Sequence, residues 1–271
     1  MWDTKYRPLR FNDVLGQQGT AAVLKSRLKS GTALDTSYIF FGGSGQGKTT
    51  IGRILVRAML CENLGSDQEP CNECDNCQAI LSETSGAFVE KDAASQGSVE
   101  QVRAVVDELA FGVFGAKKRI YLYDECHRMS SAAQDVLLKP IEDKRMVAIL
   151  CTTEPEKIRG PIRGRCEEYG IRKVTREDIA TRMKWVCDQE GVKYEEDAIN
   201  TVVDFCGGHV RDVLNRLEMI AHMGDITVPS VREYLNLSVV STYYEILLAL
   251  PAHPDVAIAL IDKACDRVTA E

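Results

Sequence analysis

A glycine-rich loop followed by Lys-Thr is the stretch of this sequence whose residue types could bind and turn over a phosphate ester. Residues 42–49 fit the pattern G-x-x-x-x-G-K-[ST]. Glycines let the backbone turn tightly, so that its N–H groups can point at phosphate oxygens. Lys48 would neutralise the β- and γ-phosphates of a nucleotide, and the Thr49 hydroxyl would bind Mg²⁺. The predicted nucleotide-binding residues of this stretch are Gly42, Gly43, Ser44, Gly45, Gln46, Gly47, Lys48, Thr49 and Thr50.

The residues on either side of this loop predict the elements that such a loop requires. The apolar run at 38–41 predicts a strand that leads into the loop. Apolar residues at helical spacing follow it: Ile51, Ile54, Leu55, Ala58 and Met59. The N-terminus of that helix would add the positive end of a dipole to the phosphate site. A glycine-rich turn that only happens to precede Lys-Thr would need neither element, so the sequence predicts a nucleotide-binding protein.

Polar residues end two further apolar runs. Asp124 and Glu125 follow the run at 119–123, and in α/β folds functional groups collect at the carboxyl ends of strands. Beside a phosphate loop, Asp124 would hold Mg²⁺ and Glu125 would polarise the attacking water. Thr152 and Thr153 end the run at 147–151, which would place a hydroxyl near the γ-phosphate. Taken alone, the acidic pair is equally consistent with an ordinary strand-to-helix junction. The threonine pair is likewise common at strand ends.

Four cysteines form a separate group in a polar segment. Cys61, Cys71, Cys74 and Cys77 include two successive Cys-x2-Cys steps. Four thiolates complete the tetrahedral shell of a structural Zn²⁺. The binding free energy, on the order of 10 kcal/mol, would order an insertion at 61–80 that has almost no core of its own. The alternative is a redox or adventitious thiol cluster. The other six cysteines are scattered and are typical of small buried apolar residues.

Composition limits the class of protein. The chain has 271 residues and a formal net charge of −7, which argues against a generally basic nucleic-acid coat but leaves a local basic surface open. No apolar run approaches the roughly 18 residues that cross a membrane. The N-terminus lacks the apolar core of a signal peptide. We therefore expect a cytoplasmic protein with no membrane partner.

Strand patterns alternate with helix patterns over the first part of the chain. Predicted strands at 38–41, 88–90, 119–123 and 147–151 are apolar without alternation, which is typical of a buried parallel sheet with helices on both faces. After about residue 172 no strand is predicted, and three amphipathic patterns indicate a small helical domain. The sequence therefore predicts an α/β fold followed by helices.

Together these motifs resemble the AAA+ clamp-loader ATPases of the bacterial type, over residues 2–237. The residues that carry the resemblance are Lys5-Tyr6-Arg7-Pro8, Phe11-x-Asp13-Val14-Leu15-Gly16-Gln17, the phosphate loop, the four-cysteine insertion, Asp92-Ala93-Ala94-Ser95, Tyr123-Asp124-Glu125-Cys126-His127, Thr152-Thr153-Glu154-Pro155-x-Lys157-Ile158, Arg165-Cys166 and Gly207-Gly208-His209-Val210-Arg211-Asp212. The resemblance implies three domains: a nucleotide-binding AAA+ domain at 1–172 that contains the insertion, a helical lid at 173–237, and a partial helical collar at 238–271.

The resemblance also assigns residues. Val14 and Leu15 match positions that line the adenine pocket, and Thr153 matches a position that senses the γ-phosphate. Arg165 matches an arginine finger donated in trans to the ATP of a neighbouring subunit, and Arg211 matches a lid residue that touches the nucleotide. From the sequence alone, neither arginine has an obvious local partner.

The function implied by the resemblance is ATP hydrolysis coupled to clamp loading in DNA replication, with ATP, Mg²⁺ and Zn²⁺ as cofactors. ATP binding would assemble copies of this chain and other loader subunits into a pentameric open spiral that opens a ring-shaped sliding clamp. Primer–template DNA would then trigger hydrolysis and release. Two alternatives stay open: a scaffold subunit that binds nucleotide without turnover, and another AAA+ DNA remodeller, such as a helicase loader or branch-migration motor.

The sequence departs from the family pattern at several positions. Gly164 stands where the family has serine, and Gly43 replaces a proline, which predicts a less rigid loop. Gln96 stands where the family commonly has an arginine that contacts a DNA phosphate. Pro140 is expected to interrupt the helix after Asp-Glu. Residues 238–271 are at most a part of the collar, which leaves a chain truncated there or a compact, viral variant.

Overall fold

The computed structural model describes residues 1–109 and 118–235, and beyond them only Val256 and Ile258. The chain forms two compact units, one of Thr4–Asp178 and one of Met1–Asp3 with the residues from Ile179 onward. The predicted collar element at 238–271 lies outside the described residues, apart from Val256 and Ile258. Within the described part of the chain, no helix is both long enough and apolar enough to span a bilayer.

A five-stranded parallel sheet forms the centre of the unit Thr4–Asp178. Its strands are β1 (Ser37–Phe41), β2 (Phe88–Asp92), β3 (Arg119–Asp124), β4 (Met146–Thr152) and β5 (Cys166–Gly170). Their order across the sheet is β2-β3-β4-β1-β5, and every neighbouring pair is parallel. Strand β4 is buried along its whole length, as expected for a central strand made of apolar residues. The predicted parallel α/β fold is confirmed.

The edge strand β5 was not predicted. It pairs with β1, with Cys166 beside Ser37 and Tyr169 beside Phe40. Its sequence, Cys-Glu-Glu-Tyr-Gly, contains no apolar run, and its residues are half-buried or exposed. An edge strand has one partner and needs little apolar surface, so hydrophobic periodicity gave no sign of it.

Helices cover both faces of this sheet. The short helix α1 (Trp2–Lys5) starts the chain, and its residues Trp2 and Asp3 belong to the other unit. The helices of the sheet-containing unit are α2 (Gln18–Lys29), α3 (Lys48–Leu60), α4 (Asp75–Leu81), α5 (Ala93–Gln96), α6 (Val99–Glu108), α7 (Ser131–Glu142) and α8 (Gly160–Arg163), with 3-10 turns at Phe11–Asp13, Ala33–Asp35, Cys126–Arg128 and Pro155–Lys157. Helices α2 and α3 pack on one face through Leu24 and Leu55. Helices α6 and α7 pack on the other through Val102 and Leu137.

Helix α3 approaches the sheet closely at Gly52. A Cβ atom at this position would lie 2.8 Å from Leu122 Cδ1 and 3.2 Å from Ile149 Cγ2. Both distances are shorter than ordinary van der Waals contact, so only glycine fits without a shift of its neighbours. The close packing fixes the start of α3, and with it the phosphate loop, against the strand ends.

Helix α7 continues through Pro140, so the expected interruption was wrong. The helix ends at Glu142, and the Asp143 N–H donates to the Lys139 carbonyl at 2.9 Å. Proline removes a single N–H here, close to the end of the helix. Burial of Leu137 and Ile141 against the sheet stabilises the helix on either side of this position.

The second unit is helical. Its helices are α9 (Arg176–Glu190), α10 (Glu196–Phe205), α11 (Val210–Met223) and α12 (Val228–Tyr234). The Thr175 hydroxyl caps α9 by accepting from the Asp178 N–H at 3.1 Å. Fully buried residues of α9, α10 and α11 form the core: Ile179, Met183, Val186, Ala198, Ile199, Val202, Val213, Leu217 and Ile220. The short helix α12 was not predicted, and Thr227 begins it with a capping box.

Candidate functional site

The carboxyl ends of β1, β4 and β3 bring the predicted magnesium ligands together. The Thr49 hydroxyl, in the first turn of α3, donates to Asp124 Oδ2 at 2.9 Å. Asp124 is the last residue of β3, and its other oxygen accepts from the Glu125 N–H at 3.0 Å. A hydroxyl and a carboxylate oxygen are ligands that Mg²⁺ binds in proteins. Residues far apart in the sequence therefore form one half-buried oxygen pair that fits a divalent cation.

The phosphate loop has the backbone conformation that its glycines permit. Gly47 has φ = 93° where it precedes α3, a value that residues with a Cβ atom adopt only under strain. A Cβ atom at Gly42 would lie 2.6 Å from the Ile171 carbonyl oxygen. The Gly42 N–H donates to the Thr152 carbonyl at 3.2 Å, which ties the loop to the end of β4.

Lys48 lies inside the curve of the loop. Its ammonium group donates to the carbonyl oxygens of Gly42 at 3.1 Å and Gly43 at 2.9 Å, and the residue is only 5% exposed. A buried cation needs partners of this kind. These bonds hold the positive charge against the loop backbone, where a phosphate group could replace the carbonyl partners.

Gln46 bridges the loop through a hydrogen bond that the sequence did not predict. Its Oε1 accepts from the Gly43 N–H at 2.8 Å. A proline at position 43, the residue expected from the family pattern, has no N–H and could not donate this bond. The Gln46 side chain thus constrains the loop through a hydrogen bond that the sequence alone did not predict.

Glu125 follows Asp124 in a left-handed conformation, with φ = 49° and ψ = 40°. Such values are uncommon outside glycine and occur often at functional sites. Its Oε2 lies 3.4 Å from Nδ1 of His127, and the other ring nitrogen of His127 lies 3.2 Å from Glu154 Oε1. From the sequence, His127 belonged to the family motif at 123–127 but was given no role. The only signal was its position two residues after the acidic pair.

The two threonines at the end of β4 have different surroundings. Thr152 is fully buried, and its hydroxyl lies 3.2 Å from His127 Nδ1 and accepts from the Glu154 N–H at 2.9 Å. Thr153, the predicted γ-phosphate sensor, is half-buried just beyond the strand. The side chain of Thr152 is therefore committed to the protein, which leaves Thr153 as the better candidate for a nucleotide contact.

The adenine-pocket candidates lie near the loop. Val14 is buried, and its Cγ1 would be 3.9 Å from a Cβ atom at Gly47. Leu15 beside it is half-buried. These positions place the N-terminal part of the chain beside Gly47, the last residue before α3.

The two predicted arginines both have partners in the fold, and the acidic partner of each is distant in the sequence. The guanidinium of Arg165 donates to the Pro161 carbonyl at 2.9 Å and to Glu142 Oε2 at 3.0 Å. Glu142 is 23 residues away at the end of α7, so no local pattern pointed to it. Arg211, in the first turn of α11 in the helical unit, lies with Nε 3.7 Å from Asp3 Oδ2 and is largely exposed.

The four cysteines of the insertion converge on one point. Their sulfur atoms all lie within 4.8 Å of one another, and those of Cys71 and Cys77 are 3.9 Å apart. Tetrahedral zinc with Zn–S bonds of about 2.3 Å requires sulfur separations near this value. N–H groups of Glu73 and Cys74 donate to the Cys71 sulfur at 3.4 Å and 3.3 Å. The donor set therefore fits a structural zinc ion.

Hydrogen bonding prepares one of these thiols as a thiolate. The backbone N–H of Glu73, and after it that of Cys74, lowers the pKa of Cys71 to about 6. Burial raises the pKa of Cys77 and Cys61 above the ordinary thiol value. Deprotonation of these two thiols would therefore accompany metal binding.

Comparison with known proteins finds similarity to subunits of DNA polymerase III. Residues 16–175 match the family model described as "DNA polymerase III, delta subunit". DNA polymerase III subunit tau of Bacillus subtilis is 34% identical over 82% of this chain and 39% of its own length. Subunit gamma/tau of Mycoplasma genitalium is 33% identical over 86% of this chain and 40% of its length. Subunit gamma of a Buchnera aphidicola strain is 31% identical over 86% of this chain and 65% of its own length. The chain thus spans less than two thirds of each of these relatives.

Solved structures share the fold. The Thermotoga maritima RuvB Holliday junction branch migration motor superposes with a TM-score of 0.62 at 16% identity, over 86% of this chain and 72% of its own. A point mutant of the same RuvB gives a TM-score of 0.63 at 15% identity, over 86% of this chain and 73% of its own. The parallel sheet with its phosphate loop and the helical unit have the AAA+ fold. The chain belongs to the DNA polymerase III subunit family, and its relatives within it are of the gamma/tau type.

The cysteine centre generates a direct prediction. Elemental analysis of the purified protein should find one zinc per chain, and Cys77→Ala should lose most of it because a three-thiolate site lacks its fourth ligand. Cys206→Ala, which removes a buried thiol outside the insertion, is the matched control and should keep its zinc. Full zinc content in Cys77→Ala would exclude this site as the metal centre.

Proposed function

We propose that this chain is an ATP-hydrolysing motor subunit of a sliding-clamp loader in DNA replication. The observation that carries the proposal is the 2.9 Å hydrogen bond between Thr49 and Asp124 beside the buried Lys48. This is the arrangement in which a phosphate loop and a strand-end acid share a magnesium ion. Membership of the DNA polymerase III subunit family supports the choice of clamp loading over other uses of ATP.

Each residue of the site has a place in hydrolysis. Loop N–H groups and Lys48 would bind the β- and γ-phosphates, while Val14 and Leu15 would line the adenine pocket. Thr49 and Asp124 would hold a Mg²⁺ ion, which would supply positive charge to neutralise the phosphates. Glu125 would orient and deprotonate the attacking water, and Thr153 would donate to the γ-phosphate.

Arg165 would act on the ATP of a neighbouring subunit. Its present partner, Glu142, is well exposed, and exposed ion pairs contribute little to stability. Moving the guanidinium to a phosphate would therefore cost the protein little. Arg211 would contribute from the helical unit to the nucleotide of its own chain. Stabilisation of the transition state in trans makes hydrolysis depend on subunit alignment.

The partners follow from this scheme. Copies of this chain and other loader subunits would form a pentamer that opens a ring-shaped clamp and releases it on primer–template DNA. A net charge of −7 is compatible with DNA inside such a spiral, because phosphate contacts need only a local basic lining. The acidic remainder of the surface would face away from the duplex.

Steady-state ATPase measurements test the proposed function. Turnover by the assembled loader should rise when both the sliding clamp and primed DNA are added. Absence of turnover under all conditions would indicate a scaffold subunit. Turnover that neither clamp nor primed DNA stimulates would indicate another AAA+ remodeller.

Lys48→Ala should abolish nucleotide binding, since it removes the charge that faces the phosphates. Titration with a fluorescent ATP analogue measures this, and Lys29→Ala is a control that changes a lysine of the same unit at the end of α2. Unaltered affinity in Lys48→Ala would reject the phosphate-loop assignment.

Arg165→Ala should leave nucleotide affinity intact and lower hydrolysis by the assembled complex by about 10³-fold, the usual contribution of an arginine finger. Arg163→Ala, which removes a neighbouring guanidinium paired with Glu168, serves as the control and should hydrolyse normally. Equal loss of activity in the isolated Arg165→Ala subunit would show that the residue does not act in trans.

A further inference from the structure

Glu69 of the cysteine insertion is a buried carboxylate that the nucleotide chemistry does not use. The residue is 3% exposed, and its Oε2 accepts from the Phe11 N–H at 2.7 Å. Its Oε1 accepts from the Asn12 N–H at 3.0 Å and lies 2.7 Å from Lys25 Nζ. A buried charge with a counter-ion and two charge-assisted hydrogen bonds fixes its partners firmly. The insertion therefore holds the N-terminal segment, defined here as residues 9–15.

Arg57 makes a second connection between the insertion and this segment. It lies on α3, the helix that begins at Lys48, and is 3% exposed. Its Nε donates to Asn72 Oδ1 at 3.0 Å, and its terminal nitrogen donates to the Leu9 carbonyl at 2.9 Å. Burial lowers the pKa of Arg57 to about 10, so the guanidinium stays charged at neutral pH. The Arg57 side chain thus joins α3 to the insertion, at Asn72, and to the N-terminal segment, at Leu9.

Asn72 links these contacts to the metal ligands. It lies between Cys71 and Cys74 and has a left-handed backbone with φ = 61°. Ligation of the two flanking thiols would constrain this turn and, through it, the amide that meets Arg57. Loss of the metal should therefore loosen the contact at Leu9.

The other end of the N-terminal segment reaches the phosphate loop. Val14 is buried, and its Cγ1 lies 3.9 Å from the position that a Cβ atom would take at Gly47. Immediately after the segment, Gln17 exchanges two hydrogen bonds with the backbone of Arg172, at 2.7 Å and 3.1 Å. The segment is therefore fixed by the insertion at one end and rests against the loop at the other.

We infer that the four-cysteine insertion positions the nucleotide site. Glu69 and Arg57 are positioning residues that hold the N-terminal segment so that Val14 lies against the phosphate loop before nucleotide arrives. Without these two residues, nucleotide binding would also have to order the segment, and the entropic cost of that ordering would weaken the nucleotide affinity. The inference rests on the proposed function only in taking a nucleotide as the ligand of the loop.

Two variants of the 271-residue chain, prepared with zinc, separate this role from general stability. Glu69→Ala removes every bond of the carboxylate, whereas Glu69→Gln keeps an acceptor oxygen for one backbone N–H and loses the charge. Glu167→Gln is the matched control, because Glu167 pairs with Arg27 on the same helix that carries Lys25, yet lies on β5 and does not touch the insertion.

Nucleotide affinity is the first measurement. With Mg²⁺ and a fluorescent ADP analogue, Glu69→Ala should bind about tenfold more weakly than the parent, within the usual range of coupling between sites. Glu69→Gln should fall between the two, and Glu167→Gln should match the parent. Equal affinity in Glu69→Ala and the parent would overturn the inference. Absence of binding in the parent itself would overturn the proposed function as well.

Hydrogen exchange is the second measurement, and it needs no nucleotide. Amides of residues 9–15 should exchange faster in Glu69→Ala and after zinc is removed from the parent by a chelator. Amides of the buried strand β4, which belongs to the same unit, should be unchanged, which excludes general unfolding of that unit as the cause. Unchanged protection at 9–15 in both samples would contradict the positioning role while leaving the proposed function intact.

Discussion

The hydrogen bond between Thr49 and Asp124 depends on the parallel order of β1, β4 and β3. All three strands run in the same direction, so their carboxyl ends meet at one edge of the sheet. The phosphate loop leaves β1, Asp124 ends β3, and β4 between them ends at Thr152, whose carbonyl accepts from the loop. Close packing of α3 at Gly52 keeps the Thr49 hydroxyl in reach. An antiparallel or reordered sheet would separate these groups.

Two chemically different centres stabilise the same loop. At the strand ends, charge and hydrogen bonds arrange Lys48, Asp124 and Glu125 around a half-buried space. Outside the sheet, the cysteine insertion holds the segment that rests against the loop from the other side. The insertion has little core of its own, so a metal held by its four thiolates would supply much of its rigidity. In the proposed scheme, this is the role of a metal module that lies away from the phosphates.

Local patterns predicted the parts of the site that a few neighbouring residues define. The phosphate loop, the acidic pair and the four cysteines are short motifs, and the apolar runs of the buried strands predicted the parallel sheet. Contacts between distant residues could not be predicted in this way. Glu69 with Phe11, Arg165 with Glu142 and His127 between Glu125 and Glu154 all require the folded chain. Strand β5 was missed because its residues are polar, and Pro140 was misjudged because burial of its helix outweighs one lost hydrogen bond.

A double-mutant cycle for Mg²⁺–ATP affinity tests the central claim most directly. Thr49→Ala and Asp124→Ala each remove one ligand of the same proposed ion, and Lys48 keeps the phosphates bound in both. The affinity losses should be strongly non-additive, with a coupling free energy of about 1 kcal/mol or more. The reason is that the second change removes a ligand from an ion whose binding the first change has already weakened. Losses that simply add, or that persist unchanged when Mg²⁺ is omitted, would show that the two residues do not hold a common ion.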